Sequence, residues 1–234
     1  MYKGLKISAP FFEIGPKAYL YGENMLSLAK VIDKVAMKYD VDIIVTPQYT
    51  DISLLALNTS RILVFAQHMD YLPIGRGLGS VLPEAVKAAG AVGVMLNHAE
   101  KPLTMEEIQK TIERADEVGL GTIVCSDTIE QMKQIAKMSP NLIVAEPTEL
   151  IGTGQTSDIS YVKESIETVK QINPEIMVLQ GAGIKDGNDV YNVIKAGALA
   201  TGSTSGIIKA KDPYAMVEEM IYSLRRAWDE IHNK

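Results

Sequence analysis

Cysteine is almost missing from this 234-residue chain, where Cys125 stands alone. A single cysteine cannot close an internal disulfide, and it fits a reducing compartment. Positive charge is also short: 23 Lys and Arg face 29 Asp and Glu, a net charge of −6. That balance speaks against a nucleic-acid or anionic-membrane partner, although one site can still be locally positive and hold a phosphate. No apolar run reaches the roughly 20 residues a membrane helix needs. The opening Met1-Tyr2-Lys3-Gly4 lacks the apolar core of a signal peptide. A cytoplasmic protein is expected. No linker of biased composition divides the chain, so one domain over 1–234 is expected as well. What is present is ordinary for a large core, with 47% hydrophobic and 22% charged residues.

Short apolar runs alternate with helical periodicity from end to end. The predicted strands are 6–12, 41–46, 61–66, 92–97, 121–125, 141–145, 176–181 and 198–202. Helical patterns follow them, including 24–39, 83–89, 105–118, 127–138, 161–172, 188–196 and 213–231. Thr104 with Glu107 reads as a capping box, and Pro213 after Asp212 as a proline in a first helical turn. Gly90, Gly119 and Gly197 sit where helices should stop. Eight βα units of about 25–30 residues are the count and size of an α/β (β/α)8 TIM barrel. An open doubly wound sheet is the competitor, but no G-x-G-x-x-G turn follows the first strand.

In such a barrel, the polar residues just past the strands converge on one face. The most informative stretch runs from Asn141 to Gly154, where an apolar strand leads into Glu146-Pro147-Thr148 and then Gly152-Thr153-Gly154. It sets a candidate general base beside a segment able to close over a ligand. A solvated glutamate at the start of an ordinary loop is the plainer alternative. Asn97, His98 and Glu100 follow the fourth strand, Lys17 the first, and Gln67 with His68 the third. Glycine-rich turns after strands seven and eight, Gly181-Ala182-Gly183 and Gly202 to Gly206, suit a phosphate held by backbone N–H groups. Tight βα turns would use the same glycines.

Together these residues resemble the triosephosphate isomerase family, in its shorter archaeal form. Asn97-His98-Ala99-Glu100 is similar to the family's asparagine–histidine–serine–glutamate segment. Glu146 to Gly154 is similar to its catalytic glutamate and lid, and Gly15-Pro16-Lys17 to its first motif. Gly181-Ala182-Gly183-Ile184 and Thr204-Ser205-Gly206 resemble its phosphate turns. The resemblance implies Glu146 as base, His98 as electrophile and Lys17 as the charge that stabilises an enediolate, with Glu100 and Asn97 in support. Ile151, Gly183, Thr204 and Ser205 would meet the phosphate. Pro147, Thr148, Gly152, Thr153 and Gly154 would form the lid. It implies no metal or organic cofactor, a small phosphorylated sugar as the ligand, and a homodimer or homotetramer working in glycolysis and gluconeogenesis.

One departure stands out. Where the family's first motif has asparagine, this chain has Gly15. The motif could be shifted by a residue or two, another donor could replace the lost amide, or the vacated space could admit a longer, four-carbon sugar phosphate. A barrel that binds phosphosugars without turnover is a third reading. Other features are set lower. Cys125 reads as a small buried hydrophobe rather than a nucleophile. His68 reads as structural or interfacial, and Gly75-Arg76-Gly77-Leu78-Gly79 as a flexible loop, which the resemblance makes an interface candidate.

Overall fold

The computed structural model describes residues 1–150, 158–181 and 183–232. Eight parallel strands close into a barrel in chain order, with β1 hydrogen-bonded to both β2 and β8. The strands are β1 (Phe11–Ile14), β2 (Asp42–Val45), β3 (Leu63–Ala66) and β4 (Gly93–Leu96). They continue with β5 (Gly121–Ser126), β6 (Leu142–Ala145), β7 (Met177–Gln180) and β8 (Ala200–Gly202). The helices are α1 (Gly22–Tyr39), α2 (Ile52–Asn58), α3 (Pro83–Ala88), α4 (Met105–Val118) and α5 (Ile129–Lys137). After them come α6 (Ile159–Ile172), α7 (Gly187–Lys195), α8 (Ser205–Ile208) and α9 (Pro213–His232). The expected TIM barrel is the observed fold.

Period-two alternation divides the strand residues between two cores. Phe11, Ile44, Phe65, Ile123, Leu142, Val144 and Leu179 fill the barrel interior. Their neighbours Phe12, Ile43, Val64, Val124, Ile143 and Val178 pack outward beneath the helices. Full burial of a side chain such as Phe11 or Phe65 contributes about 1.5–3 kcal/mol relative to exposure. Helix ends follow the sequence signals. Thr104 and Glu107 cap α4 reciprocally, and Gly119 ends it in the left-handed region at φ 77°. Asp212 accepts N–H groups of Tyr214 and Ala215 at the start of α9.

The first strand departs from the sequence reading. Of residues 6–12, only Phe11 and Phe12 lie in the strand; β1 begins at Phe11 and runs to Ile14. Pro10 has no N–H to give to a ladder. Before it, the Ser8 N–H goes to the Asp42 carboxylate, while Leu5 and Ile7 pack against the lower end of the barrel core. The shift brings Glu13 into the barrel lining at the end where the site lies. β3 also starts later than expected, because the buried Asp33 carboxylate takes the N–H groups of Ser60, Arg61 and Ile62. Helix α2 after β2 completes a unit whose helix had no expected bounds, and the short α8 precedes α9, the helix expected after the last strand.

Candidate functional site

Residues following β1, β2, β3, β4, β6, β7 and β8 line one cavity of about 450 Å³, a size suited to a small ligand. Glu146 continues the inward alternation of Leu142 and Val144, and its N–H donates to the Ser126 carbonyl at 3.0 Å. Gly181, expected as part of a phosphate turn, packs beside this glutamate. A Cβ at 181 would stand 3.0 Å from the Glu146 Cβ and 2.9 Å from Val144 Cγ1.

His98 Nε2 lies 4.0 Å from Glu146 Oε2, with both side chains largely buried. The Glu100 N–H donates to His98 Nδ1 at 3.1 Å. An imidazole that accepts at Nδ1 carries its proton on Nε2. Burial, and then the Lys17 charge, hold the His98 pKa below its usual value, against an opposing pull from Glu100. A neutral Nε2–H therefore faces the cavity. Asn97 does not line it. From a left-handed conformation (φ 57°), its amide donates to the Cys125 carbonyl at 2.9 Å and accepts the Leu103 N–H at 2.9 Å. It thereby braces the loop that carries His98.

Lys17 also adopts the left-handed region, at φ 49°, a costly conformation for a residue with a side chain. Gln48 and Gln67 hold it there by donating to the Lys17 carbonyl at 2.7 and 2.9 Å. The Lys17 ammonium donates to Glu100 Oε1 at 2.6 Å, which fixes its position at the mouth. Lys17, first among the causes, keeps the Glu100 carboxyl below its usual pKa. Lys101 and Lys209 line the same cavity, so the mouth of an acidic protein still gathers positive charge.

The two glycine-rich loops meet at the cavity. Gly183 (φ 77°), Thr204 and Ser205 all line the cavity. Ser203 Oγ donates to the Ile184 carbonyl at 2.9 Å. A Cβ on Gly206 would lie 2.7 Å from that carbonyl and 2.6 Å from Ser203 Oγ, so glycine there lets α8 pack on the β7 loop. By helix geometry, the first N–H groups of α8 have no partner inside the helix. Pro147 and Thr148 begin the segment after the base, and the Thr148 N–H and hydroxyl both donate to Asp127 Oδ1, at 2.8 and 2.9 Å. Ile151, Gly152, Thr153 and Gly154 lie outside the described residues.

Among the features set lower, Cys125 is buried in β5, and burial pushes its thiol well above its ordinary pKa. His68 is buried at the cavity wall, its Nε2 3.2 Å from Asp70 Oδ1. No cluster of His, Cys, Asp or Glu suited to a metal occurs among the described residues.

The sequence reading missed Glu13. It sits on the cavity wall inside β1, buried among apolar residues. Burial raises its pKa from 4.5 to about 8, the Glu146 charge adding to this and the Thr46 hydroxyl opposing it. The available signal was a lone acid in Phe11-Phe12-Glu13-Ile14, in phase with the inward Phe11.

A parallel barrel with a carboxylate, a neutral imidazole and a fixed ammonium around one cavity belongs to the class of barrel enzymes that can work by acid–base chemistry. The family model described as triosephosphate isomerase matches residues 16–220. The triosephosphate isomerase of Methanobacterium bryantii is 41% identical over 217 residues, 91% of this chain and 96% of that protein. Those of Methanothermus fervidus and Saccharolobus solfataricus are 39% and 37% identical, over 86% and 93% of this chain and 91% and 97% of theirs. The chain belongs to the triosephosphate isomerase family and is an isomerase. The family match begins just past Gly15, so Glu13 and Gly15 lie outside the matched span.

Proposed function

We propose that this isomerase interconverts glyceraldehyde 3-phosphate and dihydroxyacetone phosphate, with Glu146 moving the proton through an enediolate. The observation that carries the reading is the Glu146 carboxylate facing a neutral His98 across one cavity. Glu146 takes a proton from the carbon beside the carbonyl and returns it to the neighbouring carbon. The His98 Nε2–H donates to the oxygen where negative charge builds, and the Lys17 ammonium stabilises that charge. This division of labour between a glutamate base and a neutral histidine is the well-known pattern of the triosephosphate isomerase family and is not specific to this chain. Glu100 holds Lys17, and Asn97 braces His98. Gly183, Thr204 and Ser205, with Ile151, receive the phosphate, and the segment from Pro147 to Gly154 closes as the lid. The chemistry of these groups calls for no metal or organic cofactor.

A four-carbon substrate rested on room left by Gly15. That room is filled: a Cβ at 15 would lie 2.9 Å from Glu13 Oε1. The three-carbon substrate is therefore the better fit. We further infer a single-domain cytoplasmic enzyme of glycolysis and gluconeogenesis, with no nucleic-acid or membrane partner. No described helix is long and apolar enough to cross a membrane. Assembly as a homodimer or homotetramer is supported by Ile74 and Leu78, exposed in the loop between β3 and α3.

A coupled assay on three- and four-carbon sugar phosphates, with Glu146→Gln in parallel, tests the assignment. A three-carbon preference and a loss of about 10²–10⁴-fold in the variant are expected from the usual worth of a general base. A folded wild type that binds without turnover, or that prefers the longer sugar, would overturn it.

A further inference from the structure

Glu13 is a buried acid on the wall of the site, and the mechanism above gives it no task. Its seat is specific. Thr46 Oγ1 donates to Glu13 Oε1 at 3.1 Å, while Oε2 has no hydrogen-bond partner among the described residues. Two glycines flank the carboxyl. A Cβ at Gly15 would meet Oε1 at 2.9 Å, and a Cβ at Gly202 would meet Oε2 at 3.0 Å. Neither glycine has a positive φ, so no backbone strain demands glycine at either place. At Gly15, the only contact under 3 Å among the described residues is with the Glu13 carboxyl. Glu13 and Gly15 thus form one device, in which a carboxyl from residue 13 occupies the space a side chain at 15 would take.

We propose that Glu13 is a further substrate-contacting residue, a neutral carboxylic acid whose Oε2–H donates a hydrogen bond to the carbonyl or hydroxyl oxygen of the bound sugar phosphate. The inference rests on the assignment above. Thr46 occupies Oε1, which leaves Oε2 to carry the proton. The groups around it favour the neutral form. Glu13 is buried, the Glu146 charge at the end of β6 disfavours a second anion, and the opposing Lys17 and Thr46 effects do not cancel burial. Cys125 on β5 stays a thiol and adds no charge. Charge matching points the same way. Among the described residues, Lys17, Lys101 and Lys209 face Glu13, Glu100 and Glu146 around the cavity. With Glu13 neutral, that set carries net positive charge, as a phosphorylated ligand needs.

The test measures kcat/KM for dihydroxyacetone phosphate from about pH 6 to about pH 10 in wild type, Glu13→Gln, Glu13→Ala and Glu13→Ala/Gly15→Asn. Wild type is expected to lose activity as pH rises through about 8. Glu13→Gln keeps a neutral donor, so it should stay within about tenfold of wild type at neutral pH and lose the alkaline fall. Glu13→Ala should lose about 10²–10³-fold, the usual cost of one transition-state donor. Restoring an amide from residue 15 in the double variant should recover roughly tenfold or more of that loss. A folded Glu13→Ala enzyme within about threefold of wild type, or Gln as damaging as Ala, would overturn the proposal. Infrared difference spectra between wild type and Glu13→Gln read the protonated carboxyl without turnover. Its carbonyl band should shift when dihydroxyacetone phosphate is added, and an unshifted band overturns the contact even if the wild type proves inactive. Turnover that depends on Glu146 but not on Glu13 would sink this inference alone and leave the assignment standing.

Discussion

His98 Nε2 stands 4.0 Å from Glu146 Oε2, and the imidazole is neutral there because its Nδ1 already accepts the Glu100 N–H. A charged imidazolium at that distance would pair with the carboxylate and weaken it as a base. Burial and the Lys17 charge prevent this by holding the His98 pKa down. Nitrogen NMR at neutral pH should find a neutral Nε2–H tautomer in the wild type. His98 would then keep its neutral form down to below the ordinary imidazole value of 6.5.

Lys17→Met removes the charge that helps keep His98 neutral, so the His98 pKa should rise, visible in the same NMR titration. The variant also loses a stabiliser of developing negative charge, at an expected cost of about 10²–10³-fold in kcat. A His98 pKa that stays put would show that burial alone sets it.

Gly181→Ala tests whether the glycine exists for the glutamate. The added Cβ would meet Val144 Cγ1 at 2.9 Å and the Glu146 Cβ at 3.0 Å. Displacing the base by a fraction of an ångström should lower kcat by about 10–10²-fold, with a stability loss of about 1–3 kcal/mol from overpacking. A drop confined to KM, with kcat intact, would point to the phosphate turn instead.

Asn97→Ala removes two hydrogen bonds and leaves a side-chain residue in the left-handed region. Denaturant unfolding should show a loss of about 2–4 kcal/mol. Asn97→Gly restores the backbone preference but not the bonds, so it should recover part of the stability while kcat stays low.

Glu13 has a raised pKa in the folded protein, about 8 against 4.5. The folded state therefore holds its proton where the unfolded chain has lost it. Stability from this group is full below pH 4.5 and declines as pH rises toward 8. Wild type should lose roughly 5 kcal/mol relative to Glu13→Gln across that window, by the linkage relation. Unfolding midpoints of the pair at both ends of the window measure it. A difference that does not change with pH would mean that Glu13 is ionised in the fold.

Much of this molecule was legible in its residues. Alternating apolar runs, the Thr104–Glu107 box and the βα count describe the barrel, because strand pleat and helix caps are local properties. Glu146, His98 and Lys17 were legible for a related reason: a residue just past a barrel strand reaches the mouth whatever the loops do. The start of β1 was harder. An apolar count over 6–12 favours a strand, and only the pairing of Phe11 with Asp42 and Ala200 sets where the ladder begins.

The sequence by itself determined the eight repeated units, the burial of their strands and the short list of groups at the strand ends. Tertiary structure alone decided what Gly15, Gly181 and Glu13 are for. Gly181 makes room for a carboxyl 35 residues earlier in the chain, and Glu13 is neutral because the closed barrel buries it, with the Glu146 charge adding to that effect. Those effects depend on distances of about 3 Å between residues far apart in sequence, and closing the barrel is what brings them together.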